Sequence, residues 1–187
     1  MSSTYAVLID GGFFTKVISQ RKKAFPVAAE VVAECARISE NERLTDSELL
    51  RYYFYDAPPT QKVVVNPLDG YRLDLGKTQV ARDSQSLQDR LELSEDFAVR
   101  KGETVFHGWK LGAAATRDMQ KNPRNPVPRD FVPDIKQKGV DLRIGLDIAR
   151  LSLRGLVDII VVVAGDSDLI PAFKFARREG LRVFLDH

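Results

Sequence analysis

The sequence predicts an α/β fold built on a parallel sheet with helices on both faces. Three observations predict it. The run Val157-Asp158-Ile159-Ile160-Val161-Val162-Val163-Ala164-Gly165 holds seven apolar residues among nine, most of them β-branched. That is the pattern of a strand buried on both faces. A second apolar run, Tyr5-Ala6-Val7-Leu8-Ile9, lies near the N-terminus. Around and between these runs, strand and helix signals alternate with short connections, which favours parallel pairing through helical crossovers.

The elements follow in order. After strand 5–10, Phe13, Phe14, Val17 and Ile18 form the apolar face of a first helix, with Arg21, Lys22 and Lys23 near its end and Pro26 as its stop. Val27 to Ser39 is rich in Ala and Val at helical spacing and predicts a second helix. Thr45 and Glu48 fit the capping-box spacing, so a helix start is expected there. Leu50 to Tyr55 reads as a strand ending at Asp56, with Pro58-Pro59 forbidding its continuation. Residues 60–82 are polar and irregular, and Ser84 to Leu93 returns to helical spacing. Phe97-Ala98-Val99 and Thr104-Val105-Phe106 read as short strands around a Lys101-Gly102 turn.

Residues 112–134 carry four prolines and the basic residues Arg117, Lys121, Arg124 and Arg129, which reads as a long loop. Such a loop either holds phosphates or is simply solvated. Leu142, Leu146, Ala149, Leu151 and Leu153 then mark a helix ending near Gly155. The buried strand follows, then a helix from Leu169 with Pro171 in its first turn and Gly180 as its terminator, then a last strand over 182–185.

Composition bounds the function. The hydrophobic share of 44% and charged share of 29% are globular values. At 187 residues the expectation is one domain with loop or insertion segments at about 57–96 and 112–134. The single cysteine, Cys35, excludes a disulfide framework. No apolar run approaches the roughly 18 residues of a membrane span, and no secretory pattern opens the chain, so the expected location is the cytoplasm and no membrane partner is expected. A net charge of +2 does not by itself imply nucleic acid.

Both buried strands run out into aspartates: Asp10 before Gly11-Gly12, and Asp166 and Asp168 after Gly165. In open α/β sheets the carboxyl ends of the strands are where ligands bind. Carboxylates gathered there without histidine or cysteine suit hard cations such as Mg²⁺ or Mn²⁺. Each aspartate also has a plainer reading. Asp10, Asp141 and one of Asp166 and Asp168 stand where helix caps belong. Asp56 reads as a strand-end turn residue, and Asp158 as a solvated residue at the far end of the sheet.

The set Ile9-Asp10-Gly11-Gly12, Lys138-Gly139-Val140-Asp141 with Asp147 beyond, and Gly165-Asp166-Ser167-Asp168 resembles the NYN domain, specifically its LabA-like group. These are PIN-like proteins whose nuclease members cut RNA with divalent metal. The resemblance implies a three-layer α/β/α PIN-like fold with a central parallel sheet of about five strands, the first beside the fourth. It implies a metal-dependent ribonuclease with Asp10, Asp141, Asp166 and Asp168 as catalytic residues. Asp10, Asp141 and Asp166 would hold Mg²⁺ or Mn²⁺, and Asp147 would support the site or serve structure. Lys138, with Lys136 and Arg143, would contact the backbone of single-stranded RNA. A homo-oligomer is compatible with the pattern. Where many relatives carry asparagine, this chain has Phe13.

Two other readings stand beside the nuclease. One is a non-catalytic PIN-like RNA-binding or regulatory module, which shares every motif. The other is a phosphohydrolase of the haloacid dehalogenase type, which expects a second aspartate at the position of Gly12 and is disfavoured.

Overall fold

A computed structural model describes residues 3–186. Strand β1 (Ser3–Asp10) leads directly into helix α1 (Gly11–Lys22), and α2 (Ala28–Ser39) follows. Strand β2 (Ser47–Asp56) comes next, then a small hairpin of β3 (Val63–Val65) and β4 (Arg72–Asp74), and helix α3 (Gln79–Glu92). Strands β5 (Phe97–Lys101) and β6 (Glu103–Leu111) are followed by α4 (Ala113–Lys121), β7 (Phe131–Lys138) and α5 (Val140–Leu153). Strand β8 (Ile159–Val163), helix α6 (Ile170–Arg178) and strand β9 (Arg182–Asp186) complete the order.

Five strands form one sheet in the order β5-β2-β1-β8-β9, and every pairing is parallel. The first strand therefore lies beside the fourth of that sheet, and the strand order reverses at β1/β8. Side-chain alternation divides the core. Val7, Ile9, Phe54, Val161 and Val163 face α1, α2 and α3, where they meet Ile18, Val31, Cys35, Leu87 and Leu91. Ala6, Leu8, Tyr53, Tyr55, Ile160 and Val162 face α5 and α6, where they meet Ile144, Ile148, Leu151 and Ala176. The result is the three-layer α/β/α architecture of a PIN-like fold. Each large aliphatic side chain buried this way contributes about 1.5–3 kcal/mol.

Several local expectations are revised. Thr45 and Asp46 form a turn, and Glu48 lies in β2 rather than in a helix, because Ser47 to Leu49 pair with Ser3 to Tyr5. Tertiary pairing overrides the capping pattern. The two short strands around Lys101-Gly102 are not a hairpin: β5 is the edge of the main sheet, and β6 pairs antiparallel with β7. Segment 112–134 is also less open than its prolines suggest. It contains α4, and Arg124 there grips Asp130 through two hydrogen bonds of 2.6 and 2.9 Å while also reaching Asp118. That hydrogen bonding holds the Asp130 carboxyl at about 2. Arg124 is thus occupied within the protein.

Helix α5 carries two apolar stripes on opposite faces, and the sheet can cover only one. Val140, Ile144, Ile148 and Leu151 are buried, whereas Leu142, Leu146 and Leu153 are exposed. Of the leucines that signalled the helix, Leu151 helps to seat it, and Leu142, Leu146 and Leu153 do not.

Two glycines let backbone elements approach at the carboxyl edge of the sheet. A Cβ on Gly11 would lie 2.6 Å from the Phe54 ring and 2.8 Å from the Tyr55 carbonyl oxygen. Only glycine lets α1 turn off β1 at once. A Cβ on Gly102 would lie 2.7 Å from the Lys138 carbonyl oxygen. Gly102 N also donates to Asp56 O at 2.8 Å, so this contact docks the end of β7 against the end of β2.

Gly11→Ala should cost about 1–3 kcal/mol through overpacking. Gly145→Ala, in the middle of α5 with nothing within 4 Å of the new Cβ, should instead stabilise by about 0.5–1 kcal/mol. Urea denaturation of both variants checks the pair; equal and small effects would contradict the contact geometry at Gly11.

Candidate active site

The strand order reverses at β1/β8, and open α/β sheets bind ligands at that crevice. Asp10 is the last residue of β1 and the N-cap of α1, where its Oδ1 accepts the Phe13 N–H at 3.1 Å. Asp166 follows β8 and caps a short 3₁₀ turn, its Oδ1 accepting the Asp168 N–H at 2.8 Å. The capping reading of both residues therefore holds. It does not exhaust them, because a carboxylate offers about four acceptor sites. Asp141 lies in the first turn of α5 and is exposed, as are Asp166 and Asp168.

These groups sense one another. Burial raises the Asp10 carboxyl above its ordinary value of 3.8, and Asp141 and Asp56 raise it further, against the lowering hydrogen bonds from Phe13 and Gly12. Burial also raises Asp141, with repulsion from Asp166 and Asp168 added. Asp141 thus links the β1 end to the β8 turn, across 131 and 25 residues of sequence respectively.

Asp56 ends its strand where the sequence placed it, but its role as a simple turn residue is revised. It is buried rather than a simple turn residue, and it ends β2 beside the end of β1. Its Oδ1 accepts from Ala57 N at 2.8 Å and Gln137 Nε2 at 2.6 Å, and its Oδ2 from Gln88 Nε2 at 2.9 Å. Desolvation raises its carboxyl, and these three donors oppose the rise. The available signal was that β2, like β1, ends in aspartate. Gln88 and Gln137 come from α3 and β7, and no local pattern marks them as partners. Asp158, at the other sheet end, accepts Thr4 N–H at 2.8 Å, and its own backbone N–H donates to Thr4 O at 2.8 Å, so it ties β8 to β1.

The remaining predicted residues are spread around this edge. Asp147 turns away from it and accepts the Tyr55 hydroxyl at 2.9 Å. At ~100° per residue, Asp147 and Asp141 lie about 120° apart around α5. Lys136 and Lys138 are exposed on β7. Gln137 between them points at Asp56, so by strand alternation the two lysines project from the opposite face of the ribbon. Phe13 packs its ring where a Cβ on Gly165 would stand, 2.6 Å away. An aromatic wall thus closes against the β8 turn.

The donor set, all carboxylate oxygens, suits a hard divalent cation. Its spacing is open: among the described residues, no three acidic, histidine or cysteine side chains stand close enough to enclose a metal ion.

A five-stranded parallel sheet between helices, with acidic groups at its switch point, defines an α/β protein whose three layers are consistent with a PIN-like fold. Residues 103–185 match the model of the NYN domain, which relates this part of the chain to the PIN-like nuclease superfamily. That segment contains Asp141, Asp147, Asp166 and Asp168 but not Asp10. A solved structure of a protein of unknown function from Vibrio parahaemolyticus is similar, with a TM-score of 0.52 at 12% identity over 98% of this chain and 80% of that one. That likeness shows the fold alone. No curated protein matches the chain. Among the described residues, no helix is long and apolar enough to cross a membrane.

The raised Asp10 carboxyl has a definite consequence. A folded-state value above the unfolded one means the folded protein binds the proton more tightly. Stability from this group is therefore present at low pH and lost as pH rises through the folded value. Asp10→Asn keeps the cap but removes the charge. Its stability relative to wild type should climb as pH is taken from 3.8 towards neutrality, measured by urea denaturation without divalent ions. A flat difference would show that Asp10 feels neither burial nor its acidic neighbours.

Proposed function

We propose that this chain is a metal-dependent ribonuclease that hydrolyses RNA phosphodiester bonds at the β1/β8 edge. The observation that supports it most is the burial of Asp10 and Asp141 beside further acidic groups, Asp141 raising Asp10 and Asp166 and Asp168 raising Asp141, where β1, α5 and the β8 turn meet. Partly buried carboxylates raised by acidic neighbours are a charge conflict that a cation relieves. Asp10, Asp141 and Asp166 would draw in from their open spacing to hold Mg²⁺ or Mn²⁺, which when bound would polarise the phosphoryl oxygen and activate water. Asp168, exposed beside Asp141, would accept the proton of the attacking water. Asp56, fixed by Gln88 and Gln137, keeps negative charge behind Asp10 and favours occupation by a cation. Arg143, and Lys136 and Lys138 from the outer face of the ribbon, would hold the backbone of single-stranded RNA without reading its bases.

A second reading, a non-catalytic RNA-binding module of the same fold, draws support from the open carboxylate spacing and from Phe13 against Gly165. Activity separates the two.

Labelled single-stranded RNA should be cut with added Mn²⁺ or Mg²⁺ and spared in chelator. Changes to groups behind a metal's ligands cost ~10–100-fold in activity. Replacing a ligand itself, as in Asp10→Asn, should therefore cost at least about 100-fold. Cutting by Asp10→Asn at the wild-type rate would end the nuclease reading, and tight RNA binding without any cutting would favour the module. In salt titrations, Lys138→Ala should lower the slope of log affinity against log salt by about one unit, equally for unrelated RNAs. An unchanged slope would take Lys138 out of the interface.

A further inference from the structure

On the β5 side of α5, away from the acidic edge, a cleft of about 210 Å³ is lined by Arg100, Arg143, Leu146, Asp147 and Arg150. Three guanidinium groups face one carboxylate there, so the cleft has a local formal charge of +2 (3 − 1). Arg143, Asp147 and Arg150 fall on one flank of α5 by their spacing of four and three residues. Arg100 comes from edge strand β5, in register with Tyr55.

The carboxylate is fixed from below. Tyr55, fully buried in the sheet, donates its hydroxyl to Asp147 Oδ2 at 2.9 Å. Around that anchor the arginines are oriented but not saturated. Arg100 Nε lies 3.2 Å from Asp147 Oδ2 yet off the hydrogen-bonding direction, and among the described residues its buried N–H has no acceptor. Its guanidinium sits 5.4 Å above the Tyr53 ring, which sets its plane. Arg150 Nη1 is 4.0 Å from Asp147 Oδ1. Among the described residues Arg143 has no ion-pair partner. Each guanidinium has five N–H donors, far more than one carboxylate with one oxygen already bonded can satisfy. Preorganised arginines with spare forked donors match the oxygens of a phosphate group.

We infer that the Arg100–Arg143–Arg150 cleft is a second phosphate subsite, which holds a backbone phosphate of the RNA strand flanking the bond to be cut; this rests on the ribonuclease reading of the acidic edge. Asp147 and Tyr55 are its positioning residues. Asp147 is six residues beyond Asp141, about 9 Å along the helix axis at ~1.5 Å per residue. A strand crossing the N-terminal end of α5 meets the acidic edge on one flank and this cleft on the other. The arrangement also gives Asp147 a role separate from the acidic group.

The test uses the full chain with Asp10→Asn, so that RNA is not consumed, and compares it with the same protein carrying Arg100→Gln, Arg150→Gln or Arg143→Gln. Salt titrations with a labelled single-stranded 12-mer should give slopes lower by about 0.7 for each lost phosphate contact. Tripolyphosphate should compete for the cleft, and each substitution should weaken it. Arg143→Gln has no ion-pair partner to lose among the described residues, so its result stands even if Arg100→Gln loosens the Tyr55–Asp147 contact. RNA binding with unchanged slopes in all three variants would overturn the subsite and leave the proposed function standing. No RNA affinity, with arginine-dependent tripolyphosphate binding kept, would overturn the RNA assignment of both sites.

Discussion

Strand β1 is hydrogen-bonded to a parallel neighbour on each side and covered by helices on each face, and the rest of the molecule takes its position from it. Burial on every side demands a continuous apolar strand, because no polar side chain could be hydrated there. Parallel pairing demands crossovers, which place three helices on one face and two on the other. The same pairing brings the ends of β1, β2 and β8 to one rim. Polar chemistry at the strand ends is thus where the apolar constraint stops.

At that rim the physics changes sign. Within the sheet, removal from water stabilises; at its end, partial removal from water raises Asp10, Asp56 and Asp141. The protein compensates unequally. Asp56 is satisfied by Ala57 N–H and two glutamine amides, while Asp10 and Asp166 each receive cap hydrogen bonds that leave acceptor capacity unused. Asp141 gains no side-chain donor among the described residues. This gradient, from a hydrogen-bonded interior carboxylate to open exterior ones, separates structural from available charge.

Basic residues divide in the same way. Arg124 is held by Asp118 and Asp130 and serves to close the segment around α4. Arg100 and Arg150 share a single carboxylate, and among the described residues Arg143 has none. A count of positive residues along the chain does not distinguish these cases, because the carboxylates that neutralise them are supplied by folding.

The sequence by itself determined the class of fold and the local positions of four of the five aspartates around the rim, Asp10, Asp141, Asp166 and Asp168. Strands buried on both faces show as unbroken apolar runs, and Asp10, Asp141 and Asp166 sit at local boundaries that short-range patterns mark. Tertiary structure alone decided the rest. It chose the Ile144 and Ile148 stripe of α5 over the leucine stripe, since both have helical spacing and only packing selects between them. It made Ser47–Leu49 strand, because pairing with β1 outweighs a local capping pattern. It brought Gln88 and Gln137 to Asp56, and Tyr55 and Arg100 to Asp147, across 32, 81, 92 and 47 residues of chain. Contacts at such separations leave no periodic trace, since each is set by where the sheet places the ends of its strands.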